Sequence, residues 1–332
     1  MRHHFGDFLD RDGSYWTIVP NRERYAYRID DVIEGSPDIT ITTIGKEDKH
    51  WRRVLTLPSL VELTLHEPTT EQLAAIGAIT SIKRLRITHA KPQTLDFIRP
   101  MDGVEELVLE YVSGFSDLSP LGALRNLRAL HMENLRRVSD LGGLATATNL
   151  KYLAIYGTPD WDQPIDGFEF LRGLSQLEVL ALWQIKCRAP YPAMLPAVSL
   201  RRLKKLSLHG SYLSTEEYAL LEEALGSVEG AAWGPFRTVA RSEIPLPDDD
   251  VRAHLSDADI RAHHYREVYL HYNGKRFIDD PASRWFEFTG RAAGRVKCSS
   301  PSAAAKCLEK SERYDSMRVQ ARALVERERG GR

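Results

Sequence analysis

The chain of 332 residues is 42% hydrophobic and 27% charged, the balance of a globular protein, which excludes extended disorder. Its formal net charge of −1 argues against a general binder of polyanions, although residues 281–332 carry 12 Lys and Arg against 6 Asp and Glu. The N-terminus lacks the apolar run of a signal peptide, and no stretch approaches the roughly 18 apolar residues of a membrane span, so we expect a cytoplasmic protein.

The first 56 residues (1–56) are interpreted as an N-terminal cap for the repeats that follow. Tyr25–Arg28 and the alternating residues 39–44 have the pattern of strands, and Trp51 and Val54 are expected to close the core. A stack of repeats needs such a cap, because an unpaired terminal strand and an open core promote aggregation.

Seven segments then repeat one pattern: an apolar residue, two others, an apolar residue, one other, and an apolar residue. Successive copies are 22, 22, 23, 23, 27 and 26 residues apart. The middle apolar positions are Leu63, Leu85, Leu107, Leu130, Leu153, Leu180 and Leu206. This pattern is typical of leucine-rich repeats, whose units must stack because each is too small to bury its own apolar face. We predict an α/β solenoid over residues 57–210, an arc with parallel strands on its concave face and short helices or 3₁₀ turns on its convex face.

Residues 117–127, with the sequence DLSPLGALRNL, resemble the SDS22-like and internalin-like subclass of bacterial leucine-rich repeats. The resemblance covers roughly residues 57–210 and implies a bacterial binding protein. It departs from that family at one column, where an asparagine three residues after the last strand leucine usually ties adjacent turns together. The residues at those positions are Pro68, Ala90, Val112, Leu135, Thr158, Ile185 and Ser211. We therefore expect the turns to be irregular.

Residues 211–233 are predicted to seal the last repeat with a capping helix. Ser214 and Glu217 match a capping box, in which the two side chains bond to each other's backbone N–H groups at the start of a helix. The helix is expected to run to about Leu225 and to stop at Gly226.

Residues 234–332 are interpreted as a small α+β element with a long terminal helix. Glu267–Tyr272 and Lys275–Ile278 flank Asn273-Gly274, a strong hairpin signal, and Arg284–Thr289 is a candidate third strand. Residues 302–329 are predicted to form the helix, with a thin apolar side and an otherwise solvated surface. That apolar side consists of Ala303, Ala304, Ala305, Leu308, Met317, Val319 and Leu324.

The residues that flank the strand leucines are expected to form columns on the concave face, because neighbouring strands lie about 4.8 Å apart. The first column is Glu62, Arg84, Glu106, Ala129, Tyr152, Val179 and Lys205; the second is Thr64, Arg86, Val108, His131, Ala154, Ala181 and Ser207; the third is His66, Thr88, Glu110, Glu133, Tyr156, Trp183 and His209. The first half of this surface is charged and the second half is aromatic. We expect the alternating charges of the first column to form a solvated ion-pair ladder of little energetic value.

Aromatic residues dominate protein–protein hot spots, so we predict that a partner protein binds the aromatic half of the concave face, with charged residues at the rim setting its orientation. The predicted partner-binding residues are Tyr111, His131, Tyr152, Tyr156, Trp183, Glu110, Glu133, Arg86 and His209. The alternative is that the chain covers its own aromatic residues with one of two over-length loops, 157–168 or 184–199.

The sequence contains no phosphate-binding glycine loop, nucleophile elbow or zincin motif, so we expect neither an enzyme nor a cofactor. Its three cysteines lack C-x-x-C spacing, and the adjacent pairs His3-His4 and His263-His264 point apart, so no metal site is expected. Effectors with leucine-rich repeats can carry a ubiquitin ligase whose nucleophile sits in a C-x-D motif. Cys298 and Cys307 do not match it.

Together these patterns predict a non-enzymatic protein that binds a partner protein through the concave face of its repeats, and an inhibitor or immunity-type role is one expectation for it. The alternative from another class is nucleic-acid association through the basic segments 284–297 and 318–329. A cysteine-dependent ubiquitin-ligase-like effector is the less favoured enzymatic alternative. Membrane association is not expected.

Overall fold

The computed structural model describes residues 2–4, 8–12, 15–19, 25–244, 269–270 and 276–331, and the side chains of 28–239 and 283–331. Within these ranges a ten-stranded sheet forms the arc. In spatial order its strands are β1 (Arg2–His4), β4 (Tyr25–Arg28), β5 (Ile41–Gly45), β6 (Glu62–His66), β7 (Arg84–Thr88), β8 (Glu106–Glu110), β9 (Ala129–Glu133), β10 (Tyr152–Tyr156), β12 (Val179–Trp183) and β14 (Lys205–Leu208). β1 is antiparallel to β4, and the strands from β4 to β14 are parallel.

The predicted repeat frame is confirmed strand by strand. Leu63 pairs with Leu85, and the same register continues through each key leucine to Leu206. All of these leucines are buried, because alternate residues of each strand point into the space between the sheet and the convex layer. The two predicted cap strands are present as β4 and β5, and Trp51 and Val54 are buried beside them.

Short helical turns form the convex layer, as predicted. They are one α-helix, α1 (Thr70–Ile76), and the 3₁₀ turns Trp51–Thr56, Asp96–Ile98, Ser119–Ala123, Gly142–Thr146, Glu169–Gly173 and Leu195–Ser199. Their leucines complete one continuous hydrophobic core that runs the length of the arc. The leucine-rich-repeat solenoid is therefore the observed fold.

The expectation of irregular turns is wrong for the first four repeats, which share one backbone conformation after the strand. The residue after each of the first four repeat strands adopts a left-handed conformation with φ between +48° and +55°, and its N–H bonds to the carbonyl of the last residue of the next strand. These residues are Glu67, His89, Tyr111 and Asn134. For example, the His89 N–H donates to the Glu110 carbonyl at 2.9 Å, and the Tyr111 N–H donates to the Glu133 carbonyl at 2.9 Å. The next position along, where the family has asparagine, holds buried apolar residues such as Val112.

Helix α2 (Thr215–Leu225) follows the last repeat, as predicted, but the predicted capping box does not form. Ser214 occupies the N-cap without a side-chain hydrogen bond. Glu217 instead accepts hydrogen bonds from the backbone N–H groups of Ala193 (2.6 Å) and Met194 (3.0 Å) in the preceding loop. A complete capping box is present at α1, between Thr69 and Gln72, where the sequence analysis did not predict one.

The C-terminal sheet differs from its prediction. It contains β15 (Phe236–Ile244), β16 (Tyr269–Leu270), β17 (Arg276–Phe288) and β18 (Arg295–Lys297). The predicted second and third strands are one continuous strand, β17, and β15 and β18 were not predicted. β16 pairs with the start of β17 as the predicted hairpin requires, while Asn273-Gly274 lies outside the described residues.

The predicted terminal helix is present as α3 (Ala303–Gly330). Its apolar side was predicted in part, because Ala303 is buried and Met317 and Leu324 pack against the core. Leu308 and Val319 are exposed, whereas the buried side chains are Ala303, Tyr314, Ala321 and Val325. Ala303 packs against Phe288 and Val296 of the C-terminal sheet, whereas Tyr314, Ala321 and Val325 join the main core. Arginines of α3 bind the glutamates of α2, as Arg318 and Arg322 do with Glu223. The surface of α3 that faces α2 is therefore packed rather than solvated.

Candidate protein-binding surface

The three predicted concave columns exist in the predicted register. Glu62 pairs with Arg84 and Arg84 with Glu106 in the first column, and Glu110 pairs with Glu133 in the third. The parallel ladder places one residue of each repeat beside its equivalent in the next. Residues about two dozen positions apart in sequence therefore become neighbours on one surface.

The charged half of this surface is more buried than predicted. Arg84 lies between two carboxylates, 3.0 Å from Glu62 Oε1 and 3.1 Å from Glu106 Oε2. Glu62 is 7% exposed and Glu106 is 3% exposed. The expectation of a solvated ladder is wrong, because charges removed from water interact strongly and depend on each other for their solvation.

The centre of the aromatic half is buried as well. Tyr152 is 3% exposed and forms a small concave cluster with Ala129, Ala154, Val179 and Ala181, against which Tyr156 packs. Burial raises the pKa of Tyr152 well above its ordinary value and raises that of Tyr156. Tyr152 therefore has almost no solvent-accessible area that a partner could bury on binding.

Coverage of the concave face comes from a segment that the sequence analysis did not consider. β2 (Phe8–Asp12) and β3 (Tyr15–Val19) form an antiparallel hairpin; β2 lies against β8, and β3 lies against β10 and β12. Since the other face of the sheet is filled by the leucine core, the hairpin lies on the concave side.

Each of the two over-length loops proposed as covers forms a short strand. They contribute β11 (Gln163–Ile165) and β13 (Ile185–Cys187), which pair with each other. The Gln163 side chain donates to the Val138 carbonyl at 2.6 Å and accepts from the Leu135 N–H at 3.0 Å. These contacts hold the first loop beside the turn that follows β9.

Exposed aromatic surface remains at the C-terminal end of the arc. Trp183 is 46% exposed, and its ring lies edge-on to His209 (6.1 Å between centroids) and Tyr212 (5.8 Å). We refer to Trp183, His209 and Tyr212 as the Trp183 cluster. Trp183 and His209 are predicted site residues, whereas Tyr212 is not, because it lies after β14 and outside the strand columns.

A cleft of about 210 Å³ opens beside the Trp183 cluster, between the last repeats and the C-terminal sheet. Its lining includes Trp233 and Phe288 as apolar walls and Arg237 and Glu287 as charged groups. Arg237 donates to Glu287 at 2.7 Å and to His209 Nε2 at 3.0 Å. Because Nε2 accepts from Arg237, the His209 proton lies on Nδ1, which is 2.8 Å from Ser211 Oγ.

The remaining predicted site residues gather near the middle of the arc. Arg86 donates to Glu110 Oε2 at 2.7 Å, and His131 Nε2 lies 3.6 Å from Glu133 Oε2. Tyr111 is 41% exposed and stacks on His89 with 4.8 Å between ring centroids. Eight of the nine predicted residues therefore occupy two regions, one around Glu133 and one around Trp183, and the ninth, Tyr152, is buried between them.

Two of the three cysteines, Cys187 and Cys307, lack the lowered pKa of a nucleophilic thiol. Burial raises the pKa of Cys187 and of Cys307, so less of either thiol is ionised at neutral pH. All three cysteines are unpaired. Among the helices in the described ranges, none combines the length and the apolar character that crossing a membrane requires.

Neither a scan of family models nor a search of characterised proteins finds a match to this chain. The solved structures that it resembles are internalins and other leucine-rich-repeat proteins. An internalin (InlF) from Listeria monocytogenes has a TM-score of 0.41 at 21% identity, covering 51% of this chain and 47% of its own. Internalin C2 from the same organism has a TM-score of 0.37 at 22% identity, and the match covers 51% of this chain and 67% of internalin C2. The functional domain of InlJ, also from Listeria monocytogenes, has a TM-score of 0.38 at 11% identity, and the match covers 81% of this chain and 68% of the InlJ chain. The chain thus spans about half the length of InlF.

Proposed function

We propose that this chain is a non-enzymatic interaction scaffold and that a partner protein docks on the Trp183 cluster. The observation that carries the proposal is the exposure of Trp183, 46%, in contact with two further aromatic rings. An exposed indole on a preformed surface is a favourable anchor, because its large apolar area is desolvated on binding at little cost in conformational entropy.

The neighbouring cleft supports this assignment. A volume of about 210 Å³ suits one side chain of a partner rather than a large ligand. Trp233 and Phe288 offer that side chain apolar contacts, while the Arg237–Glu287 pair at the edge supplies polar groups that set orientation.

Tyr111, Tyr156, Arg86, Glu110 and Glu133 are proposed as a second contact region, with Tyr111 as its exposed aromatic. Tyr152 and His131 are buried in the described conformation and would support these regions from beneath. A scaffold preformed in this way binds without an ordering cost, which suits an inhibitor or immunity-type role.

The nucleic-acid alternative is disfavoured by the ion pairs of α3. Arg318 and Arg322 bind Glu223, and Arg313 lies 3.7 Å from Glu216, so these guanidinium groups are partly neutralised within the chain. The ubiquitin-ligase alternative is disfavoured by the raised pKa of the Cys307 thiol.

We also propose a bacterial source, from the repeat resemblance, and a reducing, cytoplasmic setting, supported by the three free thiols.

The test is capture of the partner with the immobilised full chain, followed by calorimetric affinity measurements on the purified pair. We expect Trp183→Ala to weaken binding by about 2 kcal/mol or more, roughly 30-fold, with an unchanged circular dichroism spectrum. Leu308→Ala removes a side chain that is 61% exposed on α3 and should bind as the wild type does.

Salt separates the two classes of partner. Aromatic burial should survive about 1 M salt, where the Debye length is about 3 Å, whereas binding to phosphates through the basic tail should collapse. An unchanged affinity of Trp183→Ala for the purified partner would refute the docking site.

A further inference from the structure

Three potential metal ligands meet on the concave face at the middle of the arc. Glu110, His131 and Glu133 each offer one ligand atom, and these atoms all lie within 4.8 Å of one another; the described residues hold no other such group of three. His131 and Glu133 are two residues apart on β9, so their side chains point to the same face. Glu110 occupies the position of β8 that pairs directly with Glu133.

The histidine is buried and lacks the partners that a buried imidazole needs. His131 is 4% exposed, and its Nδ1 atom is buried without a hydrogen-bond partner among the described residues. Its Nε2 atom is 3.6 Å from Glu133 Oε2, which is beyond hydrogen-bond distance. Neither imidazole nitrogen therefore has a hydrogen bond among the described residues, and Nε2 is the nitrogen that faces the Glu133 carboxylate. Buried polar groups normally have partners, so this arrangement indicates a missing ligand at Nε2.

The two carboxylates also form an unfavourable pair by themselves, because like charges directly opposite on neighbouring strands repel. Arg86 offsets one of them, since its Nε and Nη2 atoms both donate to Oε2 of Glu110, at 3.0 and 2.7 Å. Both bonds use the same oxygen, so they hold the carboxylate in place while Arg86 leaves Oε1 to another group. This is how outer residues orient the ligands of a metal site.

We propose that Glu110, His131 and Glu133 form a binding site for a divalent transition-metal ion of the Zn²⁺ class. One imidazole and two carboxylates suit borderline ions, whereas Ca²⁺ and Mg²⁺ prefer sites built from oxygen alone. Three protein ligands leave at least one coordination position for water or for a group from another molecule. The site is distinct from the Trp183 cluster and does not depend on the proposed docking there.

The test uses the full chain, freed of metal with a chelator, and two probes, Zn²⁺ by calorimetry and Co²⁺ by visible absorption. We expect one ion per chain, with affinity at least tenfold weaker in Glu133→Gln and in His131→Gln, and with visible Co²⁺ bands that both variants lose. His50→Gln, which changes a histidine in the N-terminal cap, should bind as the wild type does. Glu133→Gln keeps the size and shape of a half-buried side chain, so it remains informative if His131→Gln does not fold.

The adjacent histidines at 3–4 and 263–264 are the main alternative sources of metal binding. A variant with all four replaced should keep the affinity of the wild type. The proposal is overturned if the wild type binds neither ion, if Glu133→Gln binds as tightly as the wild type, or if binding is lost only when the paired histidines are replaced.

Discussion

The hydroxyl of Tyr314 in α3 donates a hydrogen bond of 2.6 Å to Oε2 of Glu222 in α2. The two residues are 92 positions apart in sequence, and Tyr314 is 1% exposed. This contact anchors the terminal helix to the helix that follows the last repeat. The end of the arc is therefore covered by α2 together with α3, which packs both on α2 and on the 3₁₀ turn Leu195–Ser199.

Removing that hydroxyl should destabilise the chain. We expect Tyr314→Phe to lower the free energy of unfolding by about 1–2 kcal/mol, because the bond to a charged acceptor is lost, and Tyr314→Ala to lower it by about 3–5 kcal/mol through the cavity that remains. Urea denaturation measures both. Tyr191→Phe, at a tyrosine that is 37% exposed, is the matched control and should change stability by less than about 0.5 kcal/mol. Equal stability of Tyr314→Phe and wild type would contradict the role of the bond.

Substitutions at Glu217 and Ser214, at the start of α2, distinguish the observed contacts of Glu217 from the predicted capping box. Glu217→Ala should cost about 1–3 kcal/mol, because two buried backbone N–H groups, at Ala193 and Met194, lose their acceptor. Ser214→Ala should cost less than about 0.5 kcal/mol, since its side chain makes no cap bond. Thermal unfolding of the two variants gives the comparison. A larger loss for Ser214→Ala would show that the cap does form in solution.

The contact between α3 and Glu223 should make stability depend on pH. Hydrogen bonds from Arg322 and the charge of Arg318 lower the pKa of Glu223 below its ordinary value of 4.5. The folded state therefore binds this proton less readily than the unfolded state. The stability from the pair is fully present above pH 4.5 and is lost as the pH falls through the folded pKa.

Glu223→Gln tests this dependence. The variant should be less stable than the wild type at pH 7, and the difference should shrink progressively below about pH 4.5. Urea midpoints between pH 7 and 3 measure it, with the exposed Glu309→Gln as the matched control. A difference that stays constant over this range would rule out Glu223 as the titrating group.

The buried ion pairs of the first column should contribute more than surface pairs do. Arg84→Met keeps the aliphatic volume but leaves Glu62 and Glu106 without their shared cation, so we expect a loss of about 3 kcal/mol or more. Lys83→Met removes an exposed partner of Glu105 and should cost less than about 1 kcal/mol. Chemical denaturation at neutral pH compares them. Similar small losses in both variants would mean that the first column is solvated after all.

At the left-handed turns, the backbone conformation should decide which residue types are tolerated, whereas contacts of the side chain should matter little. Glu67 is exposed and has φ of +48°, a conformation that β-branched residues rarely adopt. We expect Glu67→Val to cost about 1–2 kcal/mol and Glu67→Gly to stay within about 0.5 kcal/mol of wild type. Thermal unfolding reports both values. A valine variant as stable as the glycine variant would indicate that the turn relaxes.

On the concave face, the local sequence pattern predicts the direction of each side chain but not its exposure. The columns were predicted correctly, because each residue's direction follows from its offset from the strand leucine. Exposure does not follow from that offset, because Glu62, Glu106 and Tyr152 belong to the concave columns and are nevertheless buried. The hairpin of β2 and β3, far away in sequence, also contacts β8, β10 and β12. The same limit applies to Tyr212, which reaches Trp183 only through the path of the chain after β14.

The sequence by itself determined the repeat frame, the register of the strands and the existence of α2 and α3. These features follow from periodic apolar residues, a local property in which each repeat meets neighbours of the same kind. Only the tertiary structure decided that Glu217 binds a loop rather than its own helix, that Tyr314 and not Leu308 faces α2, and that Arg84 is enclosed by two carboxylates. Those outcomes depend on which distant segment packs against each side chain. The burial of a side chain and its hydrogen-bond partners are therefore set only when the chain has folded.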